Sequence, residues 1–229
     1  MAGSGCAVVI GAGSRVGIGM AMCRRAASAG LPVYVGTRSA DGLAEVVADF
    51  ASRHQVLAPI AIDATTGSEV RRLFDGVARD GHVPEFVLFN AGAFVARPLL
   101  ELTPADVEHQ WRSDCLAGFL VGQEAVRRML SQGRGTLVFT GASASLRGRP
   151  PFAAFAAAKA GLRAVAQAIA REFGPKGIHV AHAVIDGVVG DGDGSLRAAS
   201  IADAYWRLHE QDRNAWTHEL DLRPFSESF

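Results

Sequence analysis

Short apolar runs alternate with longer segments of helical spacing along almost the whole chain. Extended runs rich in Val, Ile and Leu are predicted at residues 6–11, 32–37, 56–63, 85–90, 135–141, 177–186 and 216–222. Apolar positions between them repeat at the helical period and predict helices over 17–29, 41–54, 68–79, 104–129, 152–173 and 201–209. Strands that are apolar throughout are typical of a sheet buried on both faces. The pattern therefore predicts an α/β fold, a doubly wound parallel sheet with helices on both faces.

The length and composition fit one domain of this kind. The chain has 229 residues, of which 49% are hydrophobic and 20% charged, enough apolar material for one sizeable core. No internal repeat, low-complexity tract or linker divides it, so we expect a single domain over residues 1–229. Lys and Arg number 23, as do Asp and Glu, so nothing in the charge favours a nucleic-acid partner.

The first apolar run and the cysteines indicate the compartment. That run is about six residues long, far short of the ~20 needed to span a bilayer. Cys6, Cys23 and Cys115 lack metal-ligand spacing and are predicted to be small core residues in a reducing environment. The Gly/Asp-rich segment 190–194 lacks the spacing of a calcium loop, so we expect no metal site. These features predict a cytoplasmic protein without a membrane partner.

A glycine-rich turn, GAGSRVGIG at 11–19, joins the first predicted strand to the first predicted helix. Gly13, Gly17 and Gly19 let the backbone turn sharply and approach a pyrophosphate. The helix start at Gly17-Ile18-Gly19 offers unpaired N–H groups and the positive end of the helix dipole. The alternative is a tight turn that binds nothing. The position of the glycines between strand and helix favours a dinucleotide site of the Rossmann type.

The end of the second strand indicates which dinucleotide is bound. Sites for NAD usually place an acid there to hold the ribose 2′-hydroxyl, but here the strand ends Thr37-Arg38. Arg38 could meet a 2′-phosphate, and Arg15 in the glycine turn could add a second charge. Alternatively, both are solvated surface arginines. We predict NADP(H) in preference to NAD(H).

These motifs, in this order, resemble those of the short-chain dehydrogenase/reductase family over nearly the whole chain. The glycine turn fits that family's motif, with Ala12 in place of its usual threonine. Lys159, in FAAFAAAKAG, occupies the lysine of the family's Tyr-x-x-x-Lys motif. By resemblance, the other cofactor-contacting positions are Asp63 and Ala64 after the third strand, Asn90, Ala91 and Gly92 after the fourth, and Gly187 and Val188 after the sixth.

The resemblance implies hydride transfer between nicotinamide and a carbonyl or an alcohol, but the catalytic positions depart from the family. The family's tyrosine position is Phe155, which has no proton to give. The serine position is Ala142, with Ser143 one residue along, and the asparagine position is Asp114. After the sixth strand, Asp186-Gly187 stands where the family usually has Pro-Gly. We therefore list Lys159, Ser143, Phe155 and Asp114 as the candidate catalytic positions.

Three of these four side chains also have a purely structural interpretation. Phe155 could be core packing, Lys159 an exposed helix residue, and Asp114 a structural ion-pair partner. If Lys159 is desolvated instead, it could itself exchange the proton that the tyrosine would handle.

Three functions fit these observations. The first is an NADP(H)-dependent oxidoreductase for a small carbonyl compound or alcohol, with a weakened or rerouted proton relay. A positioned acid typically raises the reaction rate 10²–10⁴-fold, so its loss need not abolish hydride transfer. The second is a non-redox or catalytically inactive NADP-binding protein, and the third is an interaction module without nucleotide. The resemblance also implies a homodimer or homotetramer, paired through long helices such as the alanine-rich one at 153–171.

Overall fold

The computed structural model describes residues 4–13, 16–38, 40–52 and 57–227. Arg15, one of the residues predicted to contact a 2′-phosphate, lies outside the described residues. The strands are β1 (Ser4–Ile10), β2 (Val33–Thr37), β3 (Leu57–Ala61), β4 (His82–Phe89), β5 (Gly135–Thr140), β6 (Ile178–Ile185) and β7 (Glu219–Leu222). The α-helices are α1 (Ile18–Ser28), α2 (Ala40–Ala51), α3 (Gly67–Arg79), α4 (Pro104–Trp111), α5 (Ala117–Met129), α6 (Ala153–Phe173) and α7 (Ala198–His209).

The strands form one parallel sheet in the order β3-β2-β1-β4-β5-β6-β7. Val9 of β1 lies opposite Val35 of β2 on one side and Leu88 of β4 on the other. The strand order reverses between β1 and β4, because β2 and β3 extend one way and β4 to β7 the other. This arrangement confirms the predicted doubly wound Rossmann-type fold, and ligands in such sheets bind at the carboxyl ends beside the reversal.

Apolar cores cover both faces of the sheet. On one face Met22 of α1 and Tyr205 of α7 are fully buried, and on the other Phe74 of α3, Val121 of α5 and Leu162 of α6 are. Burial of a side chain of the Leu or Phe type contributes roughly 1.5–3 kcal/mol. With both faces packed, the carboxyl edge of the sheet is fixed as a rigid base for the loops that follow the strands.

The helix predicted over 104–129 forms with those bounds, but it is not α-helical throughout. The segment begins at a capping box, in which Thr103 Oγ1 accepts from Asp106 N at 3.2 Å and Asp106 Oδ2 accepts from Thr103 N at 2.9 Å. It is then interrupted by a π turn (Arg112–Leu116) that separates α4 from α5. Ser113, Asp114 and Cys115 within this turn are buried. A π turn changes which side chains face inward, and such turns are frequent at functional sites.

Other boundaries moved by a few residues. β4 begins at His82, three residues before the predicted start, because its first residues pair with those of β1. The last extended run forms a strand only over Glu219–Leu222, and the last helix begins at Ala198. Propensity decides that an element exists, whereas pairing and packing decide where it ends.

The cysteines are buried free thiols, as expected. Burial raises the pKa of Cys6 and of Cys23 to about 12, so both stay protonated and act as small apolar groups. Within the described ranges, no helix combines the length and apolarity that crossing a membrane requires.

Candidate functional site

Two adjoining cavities form one cleft along the carboxyl edge of the sheet. The first has a volume of about 300 Å³ and the second about 560 Å³, and both are bordered by Asn90, Ala91 and Gly92 after β4. The first cavity is bordered further by Gly13, Thr37, Arg38, Asp63 and Ala64. The second is bordered further by Ile18, Ser143, Phe155, Lys159, Gly187 and Val188. The described cofactor and catalytic positions predicted from the sequence thus lie along or beside a single cleft.

The glycine turn brings the backbone of β1 against that of the loop after β4. Gly11 has φ of +96°, and a Cβ there would lie 2.5 Å from Ala91 N. A Cβ on Gly19 would lie 2.9 Å from Ala12 Cα, so α1 can approach the turn only without a side chain at that position. Gly11 belongs to the motif but was not singled out by the sequence, since its role depends on a contact with the distant residue 91.

Gly13 is different, because the protein leaves space beside it. Among the described residues, a Cβ there would meet Thr37 Oγ1 alone, at 3.8 Å, and would otherwise enter the first cavity. Gly17 forms the N-cap of α1, with no side chain capping the first turn of that helix. A turn that is open towards the cavity, and followed by a helix whose N-cap glycine has no side chain to bond the first amides, fits a pyrophosphate.

Asn90 ties the ends of the two central strands together. Its Nδ2 donates to Gly11 O at 2.9 Å, and its backbone N donates to Ile10 O at 2.8 Å. Asn90 therefore holds the wall that the two cavities share.

Arg38 and Asp63, which follow β2 and β3, face the first cavity. Arg38 is exposed and makes no hydrogen bond or ion pair with any residue that the structure describes. Asp63 Oδ1 accepts from Thr65 N and Thr65 Oγ1, each at 2.9 Å. The bond from Thr65 N, helped by the positive charges of Arg38 and Arg112, lowers the pKa of Asp63. This end of the cleft thus contains an ionised carboxylate, that of Asp63, and a guanidinium without a described partner, that of Arg38.

Lys159 lies at the floor of the second cavity and is only 6% exposed, which excludes the exposed-helix interpretation. Its Nζ lies 2.8 Å from Asp114 Oδ1 and donates to Thr140 O at 3.1 Å. An ammonium group has three N–H donors, so two contacts leave one donor for the cavity that Lys159 borders.

Asp114 is fully buried and connects three segments. Its Oδ2 accepts from the side-chain amide of Gln110 and from Ala93 N, the latter at 3.3 Å. A Cβ on Gly92 would lie 2.5 Å from Asp114 Oδ1, so the cavity wall leaves no room for a side chain there. The π turn places the Asp114 carboxylate against Lys159. The sequence predicted the helix but not the π turn, and therefore did not predict this contact.

Phe155 belongs to an aromatic wall of the second cavity, formed by Phe94, Phe152 and Phe155. The ring centroids of Phe94 and Phe155 are 5.1 Å apart, and those of Phe94 and Phe152 are 5.3 Å apart. Lys159 Nζ lies 5.7 Å from the centroid of Phe155. Phe155 is therefore a cleft residue rather than core packing. The sequence did not single out Phe94 or Phe152, because neither belongs to a motif.

Two arginines hold the acid that follows β6. Arg147 Nη2 donates to both oxygens of Asp186, at 2.8 and 3.1 Å, and Arg223 Nη2 lies 3.1 Å from Asp186 Oδ2. Arg147 was missed by the sequence, although an acid at the end of a buried strand signals that a cation must lie nearby. Next to this cluster, Gly187 has φ of +149°, and a side chain there would lie 2.8 Å from Pro224 Cδ.

Comparisons with known proteins agree with this geometry. A family model described as short chain dehydrogenase matches residues 5–199. A short-chain dehydrogenase/reductase of Armillaria gallica is 30% identical over 177 residues, which cover 76% of this chain and 67% of the relative. The matched part spans about two thirds of the length of such curated relatives.

Solved structures extend the similarity over nearly the whole chain. A short-chain dehydrogenase from Rhodopseudomonas palustris is 40% identical, with a TM-score of 0.88, covering 96% of this chain and 99% of its own. An alcohol dehydrogenase from Thermococcus sibiricus, complexed with 5-hydroxy-NADP, has a TM-score of 0.88 at 21% identity, covering 98% of both chains. The second of these similarities concerns the fold alone.

Proposed function

This chain belongs to the short-chain dehydrogenase family, and on that premise we propose that it is an NADP(H)-dependent oxidoreductase with an altered proton relay. The proposed substrate is a small carbonyl compound or the corresponding alcohol. One observation carries the proposal: a single cleft holds Arg38, whose guanidinium has no partner among the described residues, at one end and Lys159, a buried lysine with one spare donor, at the other.

The first cavity supports binding of a dinucleotide. Its open glycine turn accommodates phosphates, and Asp63 with Ala64 borders the place where the family binds adenine. The Thermococcus sibiricus protein of the same fold is complexed with 5-hydroxy-NADP, which adds support by similarity. β2 ends Thr37-Arg38 without an acid, and the Arg38 fork matches a 2′-phosphate, so we propose NADP(H) in preference to NAD(H).

The second cavity supports hydride chemistry without a tyrosine. When bound, the nicotinamide supplies or accepts the hydride. Phe155 cannot exchange a proton, so we assign that task to the free N–H of Lys159, either directly or through water in the cleft. In carbonyl reduction, the proton passes to the carbonyl oxygen, and solvent reprotonates the lysine. Asp114 compensates the lysine's buried charge, and Ser143 is the proposed group that orients the carbonyl.

The aromatic wall supports an apolar substituent on the substrate. Phe94 is 66% exposed although it packs on two other rings, so it offers an aromatic face to the cavity. Rings of this kind gain free energy when an apolar or aromatic group covers them.

A second candidate is a catalytically inactive NADP-binding protein of the same fold. Phe155 and Ala142 favour it, because both replace side chains on which the family's proton relay depends. Under either candidate we propose a homodimer or homotetramer. Val107 and Trp111 of α4 and Phe119 of α5 are exposed apolar side chains that support such pairing.

Calorimetry with NADP and with NAD tests cofactor binding, and loss of NADPH absorbance with a panel of activated carbonyls tests turnover. We expect tighter binding of NADP and measurable turnover of at least one carbonyl. Stoichiometric NADP binding without turnover of any panel member would instead support the inactive protein. Absence of heat with both dinucleotides would overturn both candidates.

A further inference from the structure

A third cavity, of about 250 Å³, opens at the amino-terminal part of β4, β5 and β6, at the edge of the sheet opposite to the cleft. The groups that matter in it are Glu85, Arg134, His179, His209, Arg213 and Trp216. Nothing in the proposed reaction uses these residues.

The charge of this cavity is positive. Arg134 and Arg213 are both exposed, and neither forms a hydrogen bond or ion pair with a carboxylate of the described chain. The acid among the lining residues is Glu85, whose Oε1 lies 3.8 Å from His209 Nε2. Two guanidinium groups and one carboxylate together contribute a net charge of +1.

Arg213 is held in place without using its donors. Its guanidinium lies over the indole of Trp216, 5.9 Å from the ring centroid, and that indole stacks on His179 at 4.8 Å with an angle of 3° between the planes. A Cβ on Gly177, which has φ of +92°, would lie 2.8 Å from Arg213 Nη2. A guanidinium held near an aromatic ring by a cation–π contact keeps its N–H groups free to bind an oxyanion.

Neighbouring polar groups already have partners. His209 Nδ1 lies 2.9 Å from Thr136 Oγ1, and His179 Nε2 lies 2.9 Å from Thr217 O. The Gln211 amide donates to Thr217 Oγ1 at 2.8 Å and accepts from Thr217 N at 2.7 Å. Of the charged groups that line the cavity, Arg134 and Arg213 are therefore the ones whose donors have no partner among the described residues.

From these contacts we propose that the third cavity binds a phosphate group, either as inorganic phosphate or as part of a small phosphorylated molecule. Two arginine forks can each bind phosphate oxygens bidentately. The volume admits such a group but not a dinucleotide, for which the cleft at the opposite edge offers far more room. This site does not depend on the proposed oxidoreductase function.

Calorimetric titration of the full chain with inorganic phosphate, at an ionic strength matched with sodium chloride, tests the site. We expect saturable heat with the wild type. The R134Q and R213Q variants should each bind phosphate about tenfold more weakly, since each loses charge-assisted hydrogen bonds. The matched control R79Q removes an exposed arginine of α3 and should bind like the wild type. Unchanged affinity in R134Q and R213Q would overturn the proposal.

A further variant separates this site from the cleft, which could also take phosphate. R38Q leaves the third cavity intact, so it should keep the wild-type phosphate affinity. Loss of phosphate binding in R38Q, with R213Q unaffected, would place the anion in the cleft and overturn the proposal. The R213K variant keeps the charge but loses the planar fork, and an affinity between those of wild type and R213Q is expected. A small sugar phosphate in a parallel titration shows whether the cavity also accepts phosphate monoesters.

Discussion

Asp114 and Lys159 form a buried ion pair beneath the second cavity, with Oδ1 2.8 Å from Nζ. The two residues come from different elements, the π turn between α4 and α5 and the second turn of α6. Lys159 is 6% exposed and Asp114 is fully buried, so each charge depends on the other for compensation. The pair connects the π turn to α6 at the floor of the cleft. Lys159 lies one helical turn after Phe155, which occupies the tyrosine position.

Removing one partner of this pair is expected to destabilise the fold. In K159M the carboxylate of Asp114 stays buried without its cation, and breaking such pairs typically costs about 3–5 kcal/mol. The double variant K159M/D114N removes both charges and should recover a large part of that loss. Urea unfolding of the wild type, both single variants and the double variant measures the coupling energy. Strictly additive effects would contradict the ion pair.

Restoring a hydroxyl at position 155 is expected to raise reductase activity. The ring of Phe155 borders the cavity beside Lys159, so F155Y places a proton donor there with little change in packing. We expect kcat to rise about 100-fold, at the lower end of the usual contribution of a positioned acid. F152Y is the matched control, because it adds the same hydroxyl to another ring of the aromatic wall, and it should leave kcat unchanged. If neither variant gains activity, the proton relay is not what limits this protein.

Arg38 is expected to set the preference for the dinucleotide. Replacing it in R38Q removes charge-assisted bonds to a 2′-phosphate, each worth roughly 1.5–3 kcal/mol, or about 10- to 150-fold in Kd. The Kd of NADP should rise by such a factor while that of NAD stays unchanged. Calorimetry with both dinucleotides measures this, and R79Q on the outside of α3 serves as control. An equal loss for NADP and NAD would contradict a specific contact with the 2′-phosphate.

His182 is expected to make stability fall as the pH drops below neutral. This β6 residue is fully buried, with Nε2 3.3 Å from Ser145 Oγ. Burial lowers the pKa of His182 to about 4. The carboxylate of Glu219, 3.7 Å away, raises this pKa, whereas the positive charges of Arg163, Lys159 and His218 lower it further. In the unfolded chain the imidazole takes up a proton near pH 6.5, before the folded chain does. The unfolded state therefore gains protons first between about pH 6.5 and 4, and stability decreases over that window.

The loss attributable to His182 is about 2 kcal/mol between pH 7.5 and pH 5. Urea unfolding at both pH values measures it in the wild type and in H182Q, which cannot titrate but keeps a polar side chain next to Ser145. The carboxylates with lowered pKa, such as those of Glu219 and Asp63, stabilise the fold less only at lower pH. They therefore change the stability difference between pH 7.5 and pH 5 very little. A wild type and H182Q with equal pH dependence would contradict the buried, neutral imidazole.

The sequence by itself determined the fold and one end of the cleft. Alternation of apolar strands with helices predicted the parallel sheet, because burial of both faces requires that pattern. The glycine turn, Arg38 and Asn90 could be identified because they follow strands, and the carboxyl ends of parallel strands meet at one edge. Such residues are positioned by local rules that act within a few residues of the chain.

Only the tertiary structure decided the other end. The π turn directs Asp114 towards Lys159, 45 residues later in the chain, and the loop after β4 brings Phe94 against Phe152 and Phe155 at the start of α6. Asp186 forms ion pairs with Arg147 of the loop after β5 and with Arg223 of the segment after β7. These contacts join residues far apart in sequence, and their geometry depends on how complete elements pack. Periodicity and spacing report local preference and burial, and they carry no information about which distant side chain meets which.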